Sequence, residues 1–106
     1  MGSGLDLPPL PIAAEFIVAT SAWSCTFDKP LQPGALNSAN WSLRANGNAL
    51  SANTAAAAGN VVSGIMGLPV ADPGIDVINF APPPADVLSL TGLPAVAFAG
   101  FPLTVI

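Results

Sequence analysis

The sequence predicts an all-β fold, and three of its features support that prediction. Twelve prolines and ten glycines in 106 residues interrupt the chain so often that a helix longer than about two turns has almost nowhere to form. Apolar and polar side chains alternate over residues 23–28 and again over residues 40–44, which is the period of a half-buried strand. Short apolar runs bounded by turn residues recur through the second half. We therefore expect an immunoglobulin-like β-sandwich architecture of two layers and about seven short strands.

The chain is long enough for one hydrophobic core, and we expect it to have two parts. Residues 1–11 contain Pro8, Pro9 and Pro11, which restrict φ and lack the N–H donor that a central strand needs. We expect this segment to be an extended N-terminal arm that contributes binding in an assembly rather than stability. Residues 12–106 are predicted to form the sandwich.

Individual strands can be placed by their patterns. Two strands within residues 12–29 are expected to be separated by a break near Ser21, and Pro30 to end the second. The segment Asn46-Gly47-Asn48 predicts a hairpin after the strand that contains Trp41. Residues 54–58 have helical propensity but are too few to form a helix alone before Gly59-Asn60, so a loop or a weak edge strand is an equal alternative for residues 51–58. Later strands are expected near residues 61–62, 77–80, 87–90, 96–98 and 103–106.

Charged residues make up only 8% of the chain, whereas about a quarter is usual in soluble domains. The net charge is −4, and Lys29 and Arg44 are the only basic residues. Phosphate binding needs clustered basic side chains, so we expect no direct contact with nucleic acid. The long uncharged stretches are rich in Asn and Ser or are broken by Gly and Pro, so they do not predict a membrane-spanning helix. We expect the low content of charged residues to reflect a surface that partner proteins cover.

The residues of catalytic chemistry are scarce. Cys25 is the single cysteine and the chain has no histidine to generate a thiolate, so we expect Cys25 to be buried and inert. Asp72 and Asp76 flank Pro73-Gly74, where we expect them to serve the turn; a calcium site is the alternative. We therefore expect no enzyme, no catalytic or metal-binding residue, no cofactor and no small-molecule substrate.

Two sequence phrases carry a family resemblance. Phe27-Asp28-Lys29-Pro30-Leu31 is followed by Asn40-Trp41-Ser42-Leu43, and together they resemble a group of bacterial and phage immunoglobulin-like domains. In that group a strand ends in Phe, an acidic residue or Ser, Lys or Glu, Pro and an aliphatic residue; a turn follows, and Asn-aromatic-x-Leu opens the next strand. The resemblance covers residues 23–43, and residues 82–106 resemble small phage-encoded proteins of this type. It implies an immunoglobulin-like β-sandwich. Cell-surface members often close with Asp-x-x-Gly-Asn, of which only Gly59-Asn60 is present.

The expected function is structural. The resemblance and the low charge favour a bacteriophage virion protein, a capsid decoration or cement subunit that binds the major capsid protein and neighbouring copies of itself. The alternatives are a phage tail or head–tail accessory subunit and an immunoglobulin-like module of a bacterial surface protein. Residues 1–11 carry neither the basic residue nor the apolar run of a secretory signal. We therefore expect assembly in a host cytoplasm, with the virion as the final location.

The candidate interface consists of apolar residues in proline-rich segments, because contiguous exposed apolar surface usually marks an interface. Loops folded over the sandwich ends are the alternative. Trp23 and Trp41 are instead expected in the core. The candidate interface residues are Leu5, Leu7, Pro8, Pro9, Leu10, Pro11, Pro82, Pro83, Pro84, Leu93 and Phe101.

Overall fold

The computed structural model describes residues 7–81 and 87–106, and these residues form a two-sheet β-sandwich of eleven strands. The strands are β1 (Pro11–Ile17), β2 (Ala22–Phe27), β3 (Gly34–Ala35), β4 (Trp41–Ala45), β5 (Asn48–Ser51), β6 (Ala56–Ala58), β7 (Val61–Ile65), β8 (Val70–Ala71), β9 (Val77–Phe80), β10 (Phe98–Pro102) and β11 (Thr104–Val105). The single helical element of this part of the chain is one 3₁₀ turn at Ser38–Asn40. The all-β prediction is confirmed. The strands outnumber the predicted count of about seven, and three of them, β3, β8 and β11, have only two residues each.

The strands are divided between a six-stranded and a five-stranded sheet. The first has the order β11-β1-β2-β7-β6-β3 and the second the order β10-β9-β4-β5-β8. Neighbouring strands are antiparallel except β1 and β11, which run parallel with Glu15 opposite Thr104. Over the described residues no helix has the length and apolar character needed to cross a bilayer.

Two turns follow directly from local backbone chemistry. Ser21 has a φ of 60° and separates β1 from β2, so the predicted break near this residue is confirmed. Asn46 and Gly47, with φ of 54° and 77°, form the two-residue turn between β4 and β5. Positive φ at both central positions gives a type I′ hairpin, whose twist matches that of the flanking strands. The predicted hairpin is therefore confirmed.

The core is built from alternate residues of strands in both sheets. Trp23 of β2 and Trp41 of β4 are 2% and 1% exposed, which confirms their predicted core position. Because β2 and β4 belong to opposite sheets, the 4.9 Å between their ring centroids spans the sandwich. Trp41 also stacks on Phe80 of β9 at 4.5 Å. These rings join the two layers.

Residues 51–58, which the sequence left open, contain a loop and a short strand. Ala56–Ala58 lies between β3 and β7, and Ala57 pairs with Val62 while Gly34 pairs with Ala57 from the other side. Alanine has little strand preference of its own, so neighbouring strands determine this structure.

The chain changes sheet near its last strand. β10 pairs with β9 in the five-stranded sheet, and β11 pairs with β1 in the six-stranded sheet. Gly100, with a φ of 74°, lies where the β10–β9 register shifts, and Leu103 between the two strands is buried. The consecutive strands β10 and β11 therefore connect the two sheets at one edge of the sandwich.

Gly64 of β7 allows a close backbone approach. A Cβ at this position would lie 1.9 Å from the carbonyl oxygen of Thr54. The same segment is bonded to β7, because the backbone N–H of Ile65 donates to Thr54 Oγ1 and that of Asn53 donates to Ile65 O. Any larger residue at position 64 must push this segment away.

We expect Gly64→Ala to lower the free energy of unfolding by about 2 kcal/mol or more, because backbone rather than a flexible side chain occupies the space. The adjacent change Ser63→Ala, on the exposed side of β7, should stay within about 0.5 kcal/mol of the parent protein. Urea unfolding followed by tryptophan fluorescence measures both. Equal stability of the two variants would contradict the close approach.

Candidate functional site

The outer face of the five-stranded sheet carries a groove of about 780 Å³, named here the Arg44 groove. Ser42 and Arg44 of β4 and Asn79 of β9 line its floor, because β4 and β9 alternate and turn Trp41, Leu43, Ile78 and Phe80 into the core. Its wall is the segment 66–76. That segment is held to β5, because the backbone N–H of Gly67 donates to Ser51 O at 2.8 Å and β8 pairs with β5.

Arg44 is held in a defined position within this groove. Its Nη2 lies 2.7 Å from Asp72 Oδ2, in an ion pair whose side chains are 38% and 45% exposed. The backbone of Gly74 lies against the guanidinium, since a Cβ there would approach Cδ at 2.7 Å and Nε and Nη1 at 3.0 Å. Arg44 Nε is buried and has no hydrogen-bond partner in the described part of the chain. The groove therefore has a fixed cation at its floor and a carboxylate beside it.

Aliphatic side chains form the rim of the Arg44 groove. Leu68 is 92% exposed and Ile75 81% exposed, and Val70 between them is also exposed. These residues were missed at the sequence level because the prolines and glycines around them hide any period. The sequence feature that could have indicated them is the presence of single large aliphatic residues between turn residues, where no strand or helix pattern would place them in a core.

Asp72 and Asp76, expected to serve a turn, connect that turn to the five-stranded sheet. Asp72 pairs with Arg44, and Asp76 Oδ1 accepts a hydrogen bond from the backbone N–H of Asn46 at 3.1 Å. Over residues 7–81 and 87–106, no three His, Cys, Asp or Glu side chains are grouped so as to hold a metal ion.

Residues 7–11, the described part of the predicted arm, lie against one end of the sandwich. The backbone N–H of Leu10 donates to Asp28 Oδ1 at 3.0 Å, and that of Asp28 donates to Leu10 O at 2.9 Å. Lys29 Nζ donates to the carbonyl oxygen of Leu7. Pro9 is buried, Pro8 is half-buried, and Pro11 is the first residue of β1. The side chains of Leu7 and Leu10 remain 55% and 51% exposed.

Two further candidate interface residues, Leu93 and Phe101, lie in the described part of the chain. Leu93 is half-buried. Phe101 is half-buried too, and its ring packs against Phe98 at 5.9 Å between centroids, next to the core. Leu5, Pro82, Pro83 and Pro84 lie outside the described residues. Of the predicted residues that the structure describes, Leu7 and Leu10 are thus the two whose side chains are exposed.

A second broad surface is the outer face of the six-stranded sheet, named here the Glu15 face. Its central strands present Glu15 and Ile17 of β1, Ala22 and Ser24 of β2, and Ser63 of β7 around a depression of about 230 Å³. The small residues of β2 and β7 leave this hollow between larger neighbours. Glu15 is the only charged residue in the strands of this sheet.

Comparison with protein-family models, with curated proteins and with solved structures gives no match. The surfaces described above are therefore the basis for assigning a function.

Cys25 is fully buried in β2, and burial raises the pKa of its thiol to about 12. At pH 8 only about one thiol in ten thousand would be ionised, and the thiolate is the reactive form. We expect no labelling by a disulfide reagent under native conditions and one label per chain in guanidinium.

The matched control is Cys25→Ala combined with Ser63→Cys, which moves the thiol to an exposed position on a neighbouring strand. This variant should react within minutes. Rapid native labelling of Cys25 itself would contradict its burial.

Proposed function

We propose that this chain is a non-enzymatic structural subunit of a bacteriophage particle, a capsid decoration or cement subunit that binds the major capsid protein and neighbouring copies. The observation that carries the proposal is the pairing of exposed aliphatic side chains with outer sheet faces that have almost no charge. The strands of each sheet contain a single charged residue, Glu15 in one and Arg44 in the other. Such faces suit a subunit whose surface is covered after assembly.

The strand order supports the immunoglobulin-like part of this proposal. Immunoglobulin domains place strands A, B, E and D in one sheet and C, F and G in the other, with C′ added in variable-type domains. Here β1-β2-β7-β6 and β10-β9-β4-β5 have the orders A-B-E-D and G-F-C-C′. Trp41 is buried on β4, which is the C position, where immunoglobulin domains also bury a tryptophan.

The scarcity of charge supports an assembled rather than a free existence. Proteins that remain dispersed depend on surface charge for solubility, and the buried centres of protein interfaces are depleted in it. Leu68, Val70 and Ile75 lie on one face, and Leu7 and Leu10 lie at one end of the sandwich. A subunit in a shell has several neighbours, and separate apolar surfaces would meet different ones.

The segment 7–11 supports contact with the shell. Its backbone is tied to Asp28 and Lys29, so docking it costs less conformational entropy than docking a free tail. Leu7 and Leu10 are already about half buried, so a partner that covered the remaining surface would gain about 1 kcal/mol from each. Together the two side chains would contribute measurably to the binding free energy of an interface.

Electron cryomicroscopy of particles purified from the source of this chain tests the proposal. We expect density that fits the sandwich on the outside of the capsid shell. Density on the tail or at the head–tail junction would favour an accessory subunit instead. Particles that contain no copy of the chain by mass spectrometry would refute a virion role.

We expect the double change Leu7→Ser and Leu10→Ser to reduce incorporation into particles by at least about tenfold while leaving the thermal midpoint within a few degrees, because both side chains are exposed. Leu90→Ser, at another leucine that is 61% exposed, is the matched control and should incorporate normally. Equal incorporation of the parent protein, the double variant and the control would show that residues 7–11 are not part of the interface.

A further inference from the structure

The two outer faces of the sandwich carry single charges of opposite sign. Glu15 is the only charged residue in the strands of the six-stranded sheet, and Arg44 the only one in the strands of the five-stranded sheet. Both side chains lie on the outer surfaces, since Glu15 borders the depression and Arg44 lines the groove. One copy thus presents a face with a single carboxylate and, on its opposite side, a groove whose arginine is paired with Asp72.

Glu15 is exposed, and no basic side chain of the described residues lies beside its carboxylate. Among the described residues its carboxylate accepts no hydrogen bond and forms no ion pair. The chain has two basic residues, and Lys29 is bonded to the carbonyl of Leu7. Arg44 binds Asp72 through Nη2 and keeps 38% of its side chain exposed, so it has donor capacity left for a second carboxylate.

The shapes of the two faces are also complementary. Leu68 and Ile75 project from the rim of the Arg44 groove. The Glu15 face has a hollow floored by the small side chains of Ala22, Ser24 and Ser63. Aliphatic projections that enter a hollow leave the water that otherwise surrounds them, which favours association.

We propose that the Glu15 face of one copy docks into the Arg44 groove of a second copy, with Glu15 beside Arg44 and Leu68 or Ile75 in the hollow. The inference rests on the proposed function, in which copies of this chain are neighbours. A symmetric contact between two Glu15 faces would instead oppose two carboxylates with no cation between them. Charge complementarity therefore selects the head-to-tail arrangement.

A head-to-tail contact leaves one unused face at each end of every complex. Unless the rotation between copies closes a ring, the contact repeats and the assembly grows with concentration. The size of the assembly as a function of protein concentration is therefore the quantity to measure.

Sedimentation velocity over a range of protein concentrations tests the contact in the full chain. The parent protein should increase in size with concentration, and about 0.5 M salt should weaken its association. Glu15→Arg should weaken association at least about tenfold, since two guanidinium groups would then face each other across the contact. Arg44→Glu combined with Asp72→Asn should do the same, since two carboxylates would then face each other. An equimolar mixture of these two variants restores opposite charges wherever unlike copies meet and should recover growth.

Controls separate the contact from general effects of charge and folding. Gln32→Arg adds positive charge at an exposed loop position that lines neither the groove nor the depression, and it should leave growth unchanged. Asp72→Asn alone keeps Arg44 and removes the carboxylate that competes with Glu15 for it, so this variant should associate more strongly than the parent protein. Thermal midpoints within a few degrees of the parent show that each variant is folded, and Glu15→Gln provides a milder change at the same position.

Three outcomes would overturn the inference. They are a parent protein that stays monomeric at every concentration, variants that associate like the parent, and a mixture of the two charge-reversed variants that does not associate. Particle incorporation of Glu15→Arg distinguishes this result from the proposed function. If the variant is monomeric but still decorates particles, the subunit role stands without this contact. If the parent grows in solution but is absent from particles, the contact stands and the subunit role fails.

Discussion

The ring cluster that joins the two sheets is the interaction on which the rest of this structure depends. Trp23 approaches Trp41 at 4.9 Å across the sandwich, Trp41 stacks on Phe80 at 4.5 Å, and Phe98 follows at 5.7 Å from Phe80. The chain has one cysteine and, in the described part, one ion pair, so neither disulfides nor charge networks can hold the layers together. Burial of aromatic surface must do so. The indole N–H groups of Trp23 and Trp41 have no partner among the described residues, a cost of about 1–3 kcal/mol each that the packing offsets.

Much of this core could be predicted because alternation is a local property. Trp23 and Phe27 in β2, and Trp41 and Leu43 in β4, show it within a few residues, and Asn46-Gly47 identifies a hairpin by φ preference alone. The Arg44 groove could not be predicted in this way. Its rim consists of isolated aliphatic residues in a segment whose path is set by pairing with β5, some twenty residues earlier in the chain. The alanines of β6 are similar, since they are extended only because β3 and β7 lie on either side.

The charged residues that the structure describes mostly have specific bonding partners. Asp28 and Lys29 hold the segment before β1, and Asp72 and Asp76 attach one loop to β4 and to the β4–β5 turn. Most charged residues in the described part of the chain are thus used to fix loops against sheets. The sheet faces remain nearly neutral as a result. Removing water from a neutral face costs less free energy than removing it from a charged one, which favours binding of a partner.

The parallel pairing of β1 with β11 determines how the domain would respond to force. Backbone bonds from Ile106 to Phe16 and from Val18 to Ile106 extend this pairing beyond the two strands. When the two ends of a parallel pair are pulled apart, the strands slide along each other and all of the bonds between them are loaded at once. An antiparallel hairpin pulled from its open end instead loses its bonds one after another. Tension applied through the chain would therefore meet its main resistance at this edge of the sandwich, where the load is in shear.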